Sequence, residues 1–464
     1  MGGGFWRLID HYIVLCLFLA LFVLLLLGVG DVRTVSLLGL ILCAVGLAQA
    51  PAVAAAGAKI DGWVLGPLLF YNLLSAVASW GTFGNIADGY AGCQLIWLLL
   101  YLLLVGLSGE EQIWLRRLCA GLAGLVALIG LGQFTYAALA EGSARRLAFF
   151  LGNPNALGIF LVLGWFIWQG YRPEPEAVFG KRRKLILRLW FAVEAVLLMA
   201  LALTLSLGSF LAMAVGIVIL VAGRKAQGGY AAAAYLAQLL AKATLGVGMG
   251  LLLYLAAART DYPWLCLPLL LYAGVLVAGW WDFGRFLAVK PKVAAGLAAL
   301  GSLVAAGVVL VRPSSLATFA ERLQMMRNGL HYCWQNPLWG VGPYQWRGLN
   351  MQDADKFFNT WHIHNVLIQV GVELGLLAAA ALLILAVRVW LKHKQPEIRA
   401  EFGAFLTHCL LDTSFFYLGI TAMVMLTVAQ PSQASGIRLS CWVWRLLFGI
   451  LAVLFVWNWR CFAK

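Results

Sequence analysis

The chain has 464 residues, of which 63% are hydrophobic and only 11% charged, and its mean hydropathy is +0.89. This composition excludes a soluble globular protein. It predicts an all-α, polytopic integral membrane helix bundle, because apolar segments of about 20 residues can cross the hydrocarbon core as helices. The net charge of +14 is spread over many loops, which predicts contact with anionic lipid of the bilayer and no nucleic-acid partner.

Hydropathy predicts about 14 transmembrane helices. The boundary near 206–208 is the weakest one, because no charged residue separates the two segments there. The segments are, in chain order, 11–30, 34–57, 62–80, 91–108, 113–139, 148–169, 185–206, 208–223, 238–258, 263–281, 293–311, 365–391, 402–427 and 439–458.

The placement of Lys and Arg predicts the orientation of these spans. With an even number of spans both termini share a side, and putting them in the cytoplasm places most of the 33 Lys and Arg inside. Lys59 then lies inside, whereas Arg33 and Arg438 lie outside. The prediction is therefore N-in and C-in. It divides the chain into 1–139 (helices 1–5), 140–311 (helices 6–11), a large extracytoplasmic loop at 312–364, and 365–464 (helices 12–14).

The first part of the outer loop predicts a surface helix over 321–335. Its apolar positions fall on one face, and Arg327 lies among the polar positions of the other. Two interpretations are open. The cations contact lipid headgroups, or Arg322 and Arg327 hold a phosphate, which suits the planar and permanently charged guanidinium. Two prolines and two glycines at 336–343 then predict a rigid turn.

The loop ends in Trp361-His362-Ile363-His364-Asn365, directly before an apolar span. Asn365 is a candidate N-cap of that helix. His364 is either a polar residue at a helix start or a general base, since its ordinary pKa near 6.5 suits proton removal from a hydroxyl. Glu373 is expected to be paired inside the bundle, because an unpaired carboxylate in lipid is costly.

A second polar group is predicted on the same outer side. Arg145 and Arg146 precede a structured turn that contains Asn153, Pro154 and Asn155. Two adjacent arginines are unexpected there, because cations favour the cytoplasmic side.

No metal site, cofactor or disulfide framework is predicted. The nine cysteines show no C-x-x-C spacing, and most lie in spans, where cysteine behaves as a small apolar residue. Asp353 and Asp355 resemble a metal-binding glycosyltransferase motif only superficially, since two acids in a polar loop are ordinary.

Four stretches together resemble the O-antigen ligase and O-antigen polymerase superfamily. The resemblance covers roughly residues 140–430, and its four motifs occur in the family's order. It implies a GT-C-like membrane bundle. The stretches are Gly152-Asn153-Pro154-Asn155-Ala156-Leu157-Gly158, Asn336-Pro337-Leu338-Trp339-Gly340-Val341-Gly342-Pro343, His364-Asn365 with Gly371 and Gly375, and His408-Cys409-Leu410-Leu411-Asp412.

The resemblance implies a glycosyltransferase of cell-surface polysaccharide biosynthesis in the bacterial cytoplasmic membrane. Such enzymes move a glycan from undecaprenyl pyrophosphate to a hydroxyl of a glycolipid, glycan or protein on the outer face, without a metal. His364 would be the base. Arg145, Arg146, Arg322 and Arg327 would bind the donor pyrophosphate, and Asn153, Asn155 and Asn365 would contact sugar or phosphate.

One position departs from the family pattern. Family members commonly carry Ser-Arg-Gly near 204–212, where this chain has Leu207 in place of the arginine. The resemblance implies that this arginine binds donor phosphate, so Arg145, Arg146, Arg322 and Arg327 would have to compensate for its absence.

Two alternatives to an O-antigen ligase-like enzyme remain. One is a polymerase or a protein O-oligosaccharyltransferase of the same superfamily. The other is a polytopic transporter or lipid flippase, which would explain the acids Glu194, Glu373 and Asp412 within apolar segments. A transporter would predict repeat symmetry between the two halves, and none is evident.

Overall fold

The computed structural model describes residues 3–171, 183–226, 231–258, 263–311, 313–352, 360–430 and 436–462. Almost all of this part of the chain is helical, apart from turns and one antiparallel pair of short strands, β1 (Lys59–Ile60) and β2 (Ile437–Arg438). The helices are α1 Gly3–Leu26, α2 Val32–Ala55, α3 Gly62–Phe83, α4 Ala91–Val105, α5 Gly109–Ala140, α6 Pro154–Tyr171, α7 Arg183–Thr204, α8 Leu207–Ala226, α9 Ala232–Ala258, α10 Cys266–Val289, α11 Pro291–Val311, α12 Pro313–Gln335, α13 Trp346–Gln352, α14 Val366–Leu374, α15 Leu376–Lys392, α16 Pro396–Cys409, α17 Leu418–Val428 and α18 Cys441–Phe462.

The predicted all-α polytopic membrane class is confirmed. Among the described residues, eight helices are long and apolar enough to cross a membrane, and four shorter apolar helices accompany them. The helical backbone satisfies its own hydrogen bonds, as hydrocarbon requires. Asp353 and Asp355 lie outside the described residues, and so does most of the loop after α6. The eight long helices are α2, α3, α5, α7, α8, α9, α10 and α18.

The chain forms two compact units. Unit 1 contains Met1–Leu115, Ala317–His393 and Cys409–Lys464. Helices α2 and α18 of this unit pack tightly together, and glycines of α2 lie under aromatic rings of α18. A Cβ on Gly39 would be 2.7 Å from the Phe455 ring, and one on Gly46 would be 2.5 Å from the Phe448 ring. Small residues are needed at such crossings, because side chains would separate the helices.

Contacts inside unit 1 define its two ends. At one end, which we call the site end, the amide of Leu418 donates to the carbonyl of Gly28 at 2.8 Å. At the opposite end, Arg388 pairs with Asp61 at 2.8 Å. Lys392 also lies at the opposite end, and its Nζ donates to the carbonyl of Val428 at 2.6 Å. Helix α17 therefore runs from the site end to the opposite end.

These contacts differ from the predicted N-in, C-in topology. Lys59 pairs with Arg438 in the strand register, so these two cations share a side. At the site end, Arg33 donates to the carbonyl of Phe462 at 3.0 Å. Because α1 runs towards the site end and α18 finishes there, the two ends of the chain lie at opposite ends of unit 1.

The reason lies in one segment that was expected to be a single span and is interrupted. Hydropathy treats 402–427 as one span, but the α-helix is interrupted between Cys409 and Leu418, where only a 3-10 turn at Ser414–Phe416 forms, and α17 returns across unit 1. The span predicted over 365–391 is divided at Gly375, whose φ is +89°. A continuous apolar sequence does not reveal such breaks, because its hydropathy is the same on both sides.

Unit 2 contains Arg116–Leu316 and Lys394–His408. Among the described residues of this unit, a fully buried ion pair and a partly buried ion pair help to join its helices. Arg116 pairs with Glu401 at 2.8 Å, and the side chains are 1% and 2% exposed. Lys242 pairs with Glu194 at 2.8 Å. The weak boundary near 206–208 is a genuine break, since α7 ends at Thr204 and α8 begins at Leu207.

Candidate functional site

The turn at 361–365 and the start of α14 form the centre of the candidate site. Asn365 caps α14 as predicted, because its Oδ1 accepts from the amides of Leu367 at 3.1 Å and Ile368 at 3.2 Å. Its Nδ2 donates to the carbonyl of Leu410 at 3.3 Å. One asparagine thus joins the turn that carries His364 to the non-helical segment that precedes α17.

Arg322 of α12 reaches the same segment. It donates to the carbonyl of Leu411, and its Nη2 lies 3.2 Å from Oδ2 of Asp412. The arginine side chain is 19% exposed and that of Asp412 is 3% exposed. The Nε of Arg322 is buried and has no hydrogen-bond partner among the described residues. The guanidinium of Arg322 therefore uses its two terminal nitrogens for these contacts, and the N–H of Nε remains without a partner among the described residues.

His364 is held as a neutral imidazole beside this ion pair. Burial lowers the pKa of His364 to about 4; the charge of Asp412 raises this pKa and that of Arg322 lowers it. Its Nδ1 is buried and finds no partner among the described residues. A neutral imidazole with an unpaired ring nitrogen can accept a proton, which is the property required of a general base.

His362 is a second half-buried imidazole, and the sequence did not single it out. Its ring stacks on Phe416, with 4.1 Å between centroids and 7° between planes. Burial lowers the pKa of His362 to about 4, and His364 lowers it further. Its Nδ1 also lacks a partner in the described part of the chain. No sequence signal distinguishes it from an ordinary interfacial histidine, since its neighbour Phe416 is distant along the chain.

The Pro/Gly turn at 336–343 docks on the end of α14. The amides of Val341 and Gly342 donate to the carbonyls of Val372 at 2.8 Å and Glu373 at 3.0 Å. A Cβ on Gly340 would lie 2.5 Å from the carbonyl carbon of Glu373, and φ at Gly340 is +67°. Both the close approach and the left-handed backbone require glycine there.

Glu373 is paired inside unit 1, as expected for a buried carboxylate. It is 0% exposed. Its Oε2 accepts from the hydroxyl of Tyr90, and its Oε1 accepts from the amide of Trp346 at 3.1 Å. The same tyrosine hydroxyl accepts from Nε2 of Gln369 at 3.4 Å. Sequence reasoning missed Tyr90 and Gln369, although a glutamine inside an apolar span is a recognisable signal.

The second predicted polar group forms a separate cluster in unit 2. Arg146 donates from Nε to the carbonyl of Thr204 at 2.9 Å and from Nη2 to Oδ1 of Asn155 at 2.8 Å. Oδ1 of Asn153 accepts from the amide of Asn155 at 2.8 Å. The backbone carbonyl of Asn155 accepts from the hydroxyl of Ser209 at 3.3 Å. This network stabilises the turn before α6.

His408 and Leu207 belong to this unit as well. Nε2 of His408 lies 3.2 Å from the hydroxyl of Ser209 and is buried. Leu207 is the first residue of α8, and its side chain is 37% exposed. Arg146 binds the carbonyl of Thr204, three residues earlier, so a guanidinium lies near the position where the family arginine would be.

The structure therefore groups the predicted residues unit by unit. Unit 1 brings together Arg322, His364 and Asn365 through the segment 410–412. Unit 2 brings together Arg146, Asn153 and Asn155. Two predicted residues, Arg145 of unit 2 and Arg327 of unit 1, take no part in these groups. Arg145 and Arg327 are exposed, and neither has a hydrogen bond or an ion pair among the described residues.

Comparison with protein families supports the resemblance. The family model described as O-Antigen ligase matches residues 244–383. The predicted resemblance to the O-antigen ligase superfamily is thereby confirmed over this segment, and the matched family is one of ligase-type membrane glycosyltransferases. The matched segment includes Arg322, Arg327, His364 and Asn365, and it ends before Asp412. A comparison with the curated proteins gives no significant match.

Proposed function

We propose that this protein transfers a glycan from undecaprenyl pyrophosphate to an acceptor hydroxyl at the outer face of the bacterial cytoplasmic membrane. The observation that carries the proposal is the group of three buried nitrogens without partners in the described residues: Arg322 Nε, His362 Nδ1 and His364 Nδ1. Buried polar atoms without partners are costly unless a ligand or water satisfies them. The family match at 244–383 supports glycan transfer as the chemistry.

In this proposal His364 is the general base. The acceptor oxygen attacks the anomeric carbon, the bond from that carbon to the diphosphate oxygen breaks, and the acceptor's proton passes to His364. The reaction is therefore inverting. General base catalysis of this kind is worth about 10²–10⁴ in rate. The approaching diphosphate would raise the pKa of His364 from about 4, because an anion stabilises the protonated imidazole.

Arg322 is proposed to neutralise the charge that develops on the departing diphosphate. Its Nε is the free donor, and Asp412 and the carbonyl of Leu411 hold the guanidinium in place. A donor fixed before the reaction stabilises the transition state without reorganising. With this fixed charge the proposed step needs no metal.

The other predicted site residues keep proposed roles. Arg145, Arg146 and Arg327 are proposed to contact the donor's phosphates, and Arg146 is proposed to compensate for Leu207. Asn153, Asn155 and Asn365 each have the side-chain oxygen engaged in a hydrogen bond. These three asparagines are proposed to contact sugar or phosphate groups of the substrates.

The proposal covers three kinds of acceptor: a glycolipid, which defines a ligase; another carrier-linked glycan, which defines a polymerase; and a protein side chain. We further propose that the bundle is GT-C-like, that the loop 312–364 lies outside the cytoplasm, and that the reaction belongs to cell-surface polysaccharide biosynthesis. The transporter alternative receives less support, because its acids are already engaged. Glu194 binds Lys242, and Asp412 binds Arg322.

The test is glycan transfer in membranes supplied with an undecaprenyl-pyrophosphate-linked oligosaccharide and a panel of the three acceptor kinds. His364→Ala is compared with wild type at equal expression. His331→Ala is the matched control, because His331 is exposed and bonds only Gln335, at 2.9 Å, among the described residues. We expect transfer by wild type and the control, and a rate about 10²–10⁴-fold lower by His364→Ala. Transfer by His364→Ala at the wild-type rate removes this residue from the chemistry.

A further inference from the structure

The backbone between the two histidines is held by one buried side chain. The amide of Ile363 donates to Oε1 of Gln369 at 2.5 Å. The carbonyl of Ile363 accepts from the amide of Asn365 at 2.7 Å. Both polar backbone groups of the residue between His362 and His364 are therefore bonded. Because Ile363 is buried, water could not satisfy these two groups, and their protein partners fix the backbone at this residue.

The side chain of Ile363 fixes the same point from the apolar side. It is 0% exposed and packs in a buried cluster of unit 1. Gly329 of α12 makes room for it, since a Cβ at Gly329 would lie 2.6 Å from Cδ1 of Ile363. The other members of the cluster are Met325, Cys333, Trp346 and Val372.

Gln369 is itself immobilised. It is 0% exposed, and its Nε2 donates to the hydroxyl of Tyr90 at 3.4 Å. That hydroxyl donates to Glu373, whose second oxygen binds the amide of Trp346. Because every link is buried, rotating the amide of Gln369 away from Ile363 would leave several polar groups unpaired. The bond that Nε2 makes to Tyr90 therefore fixes the orientation of Oε1, which accepts from the amide of Ile363.

We propose that Gln369 is a positioning residue that sets the direction of both imidazoles by holding the amide of Ile363. A change of backbone torsion at Ile363 would swing His362 and His364 together, one on each side. The consequence for glycan transfer rests on the function proposed above. The positioning itself is a property of the turn and does not depend on that function.

The inference predicts a change in the surroundings of His364 when Oε1 of Gln369, the hydrogen-bond acceptor for the amide of Ile363, is removed. Gln369→Met keeps the length and shape of the side chain and deletes Oε1 and Nε2. The turn then loosens towards water, and the pKa of His364 moves from about 4 towards its ordinary value of 6.5. If transfer is present, kcat falls by about 10–100-fold, and KM for the donor changes much less, because misplacing a base affects the reacting geometry.

Gln94→Met is the matched control. Gln94 is 3% exposed in the same unit, and its Oε1 accepts from the hydroxyl of Tyr71 at 2.7 Å. Both substitutions therefore delete a buried amide that bonds a tyrosine. The measurement is hydrogen–deuterium exchange at the imidazole C2 position against pH, read by mass spectrometry for His364. We expect a raised pKa in Gln369→Met and an unchanged one in Gln94→Met. Equal values in wild type and Gln369→Met overturn the inference.

A measurement on the wild-type protein covers the case in which Gln369→Met fails to fold. Backbone amide exchange at Ile363 should be strongly protected although the residue lies in a turn. Rapid exchange at this amide overturns the inference without any variant. Neither exchange measurement needs activity. Absence of glycan transfer by wild type would therefore contradict the proposed function and leave the positioning of the turn to be judged separately.

Discussion

The ion pair between Arg322 and Asp412 allows the structural and the catalytic roles of Arg322 to be separated. Arg322→Met would leave the carboxylate of Asp412 buried, at 3% exposure, without its arginine. Breaking a buried pair by removing one partner costs about 3–5 kcal/mol, because the remaining charge is uncompensated. We expect the lower end of that range, since the arginine side chain retains 19% exposure and the pair is partly solvated.

The double variant Arg322→Met, Asp412→Asn removes both charges. Most of the lost stability should return, because no unpaired carboxylate is left. Transfer should remain about 10²–10³-fold below wild type in the single and the double variant, which is the usual cost of deleting one fixed donor to a developing anion. Unfolding is followed by tryptophan fluorescence in detergent, and transfer is measured in membranes with the lipid-linked donor.

The control pair is Arg188 with Asp282. Their side chains are both 52% exposed, and the ion pair measures 3.0 Å. Arg188→Met should cost less than about 1 kcal/mol, as exposed pairs do. If the Arg322→Met, Asp412→Asn variant regains transfer together with stability, Arg322 is only structural and the proposed phosphate role is refuted.

Three further predictions concern the base, the turn and the topology. Transfer measured as kcat/KM should rise with pH through about 4 and stay flat from about 5 to 7, because His364 is active when neutral and its pKa is lowered to about 4; an acid limb near 6.5 would contradict its burial. Gly375→Ala should destabilise the protein by more than about 2 kcal/mol in detergent unfolding, because φ is +89° and a Cβ would lie 2.1 Å from the carbonyl oxygen of Leu338; Gly348→Ala, with nothing within 4 Å, is the control and should be nearly neutral. Single cysteines placed at Arg33 and after Phe462 should be labelled from the same side of the membrane by an impermeant reagent, because these residues are joined by a 3.0 Å hydrogen bond. Labelling from opposite sides would instead support the N-in, C-in topology that the charges predict, in which Arg33 lies outside and the C-terminus inside.

The sequence was sufficient for the features that depend on local pattern. Apolar runs predicted the membrane helices, Asn365 was recognised as a cap from its position before α14, and the prolines and glycines of 336–343 predicted a rigid turn. These features are set by neighbours a few residues away. For that reason a single sequence contains enough information to predict them.

Features that depend on distant partners were not predictable in the same way. The segment 402–427 is apolar throughout, so nothing in its hydropathy indicates that α17 returns across unit 1. Tyr90 and Glu373 are 283 positions apart, and the stacking of His362 on Phe416 joins two different segments. The predicted placement of Lys59 and Arg438 on different sides was wrong for the same reason, because their pairing is a tertiary contact.

The measurement that tests the central proposal most directly is glycan transfer by His364→Ala beside His331→Ala, in membranes with undecaprenyl-pyrophosphate-linked oligosaccharide. The two variants should be expressed and folded equally. The proposal predicts that His364→Ala loses about 10²–10⁴ in rate, the range for a general base, and that His331→Ala transfers like wild type. Equal transfer by both variants would contradict the assignment of His364 as the base of this reaction.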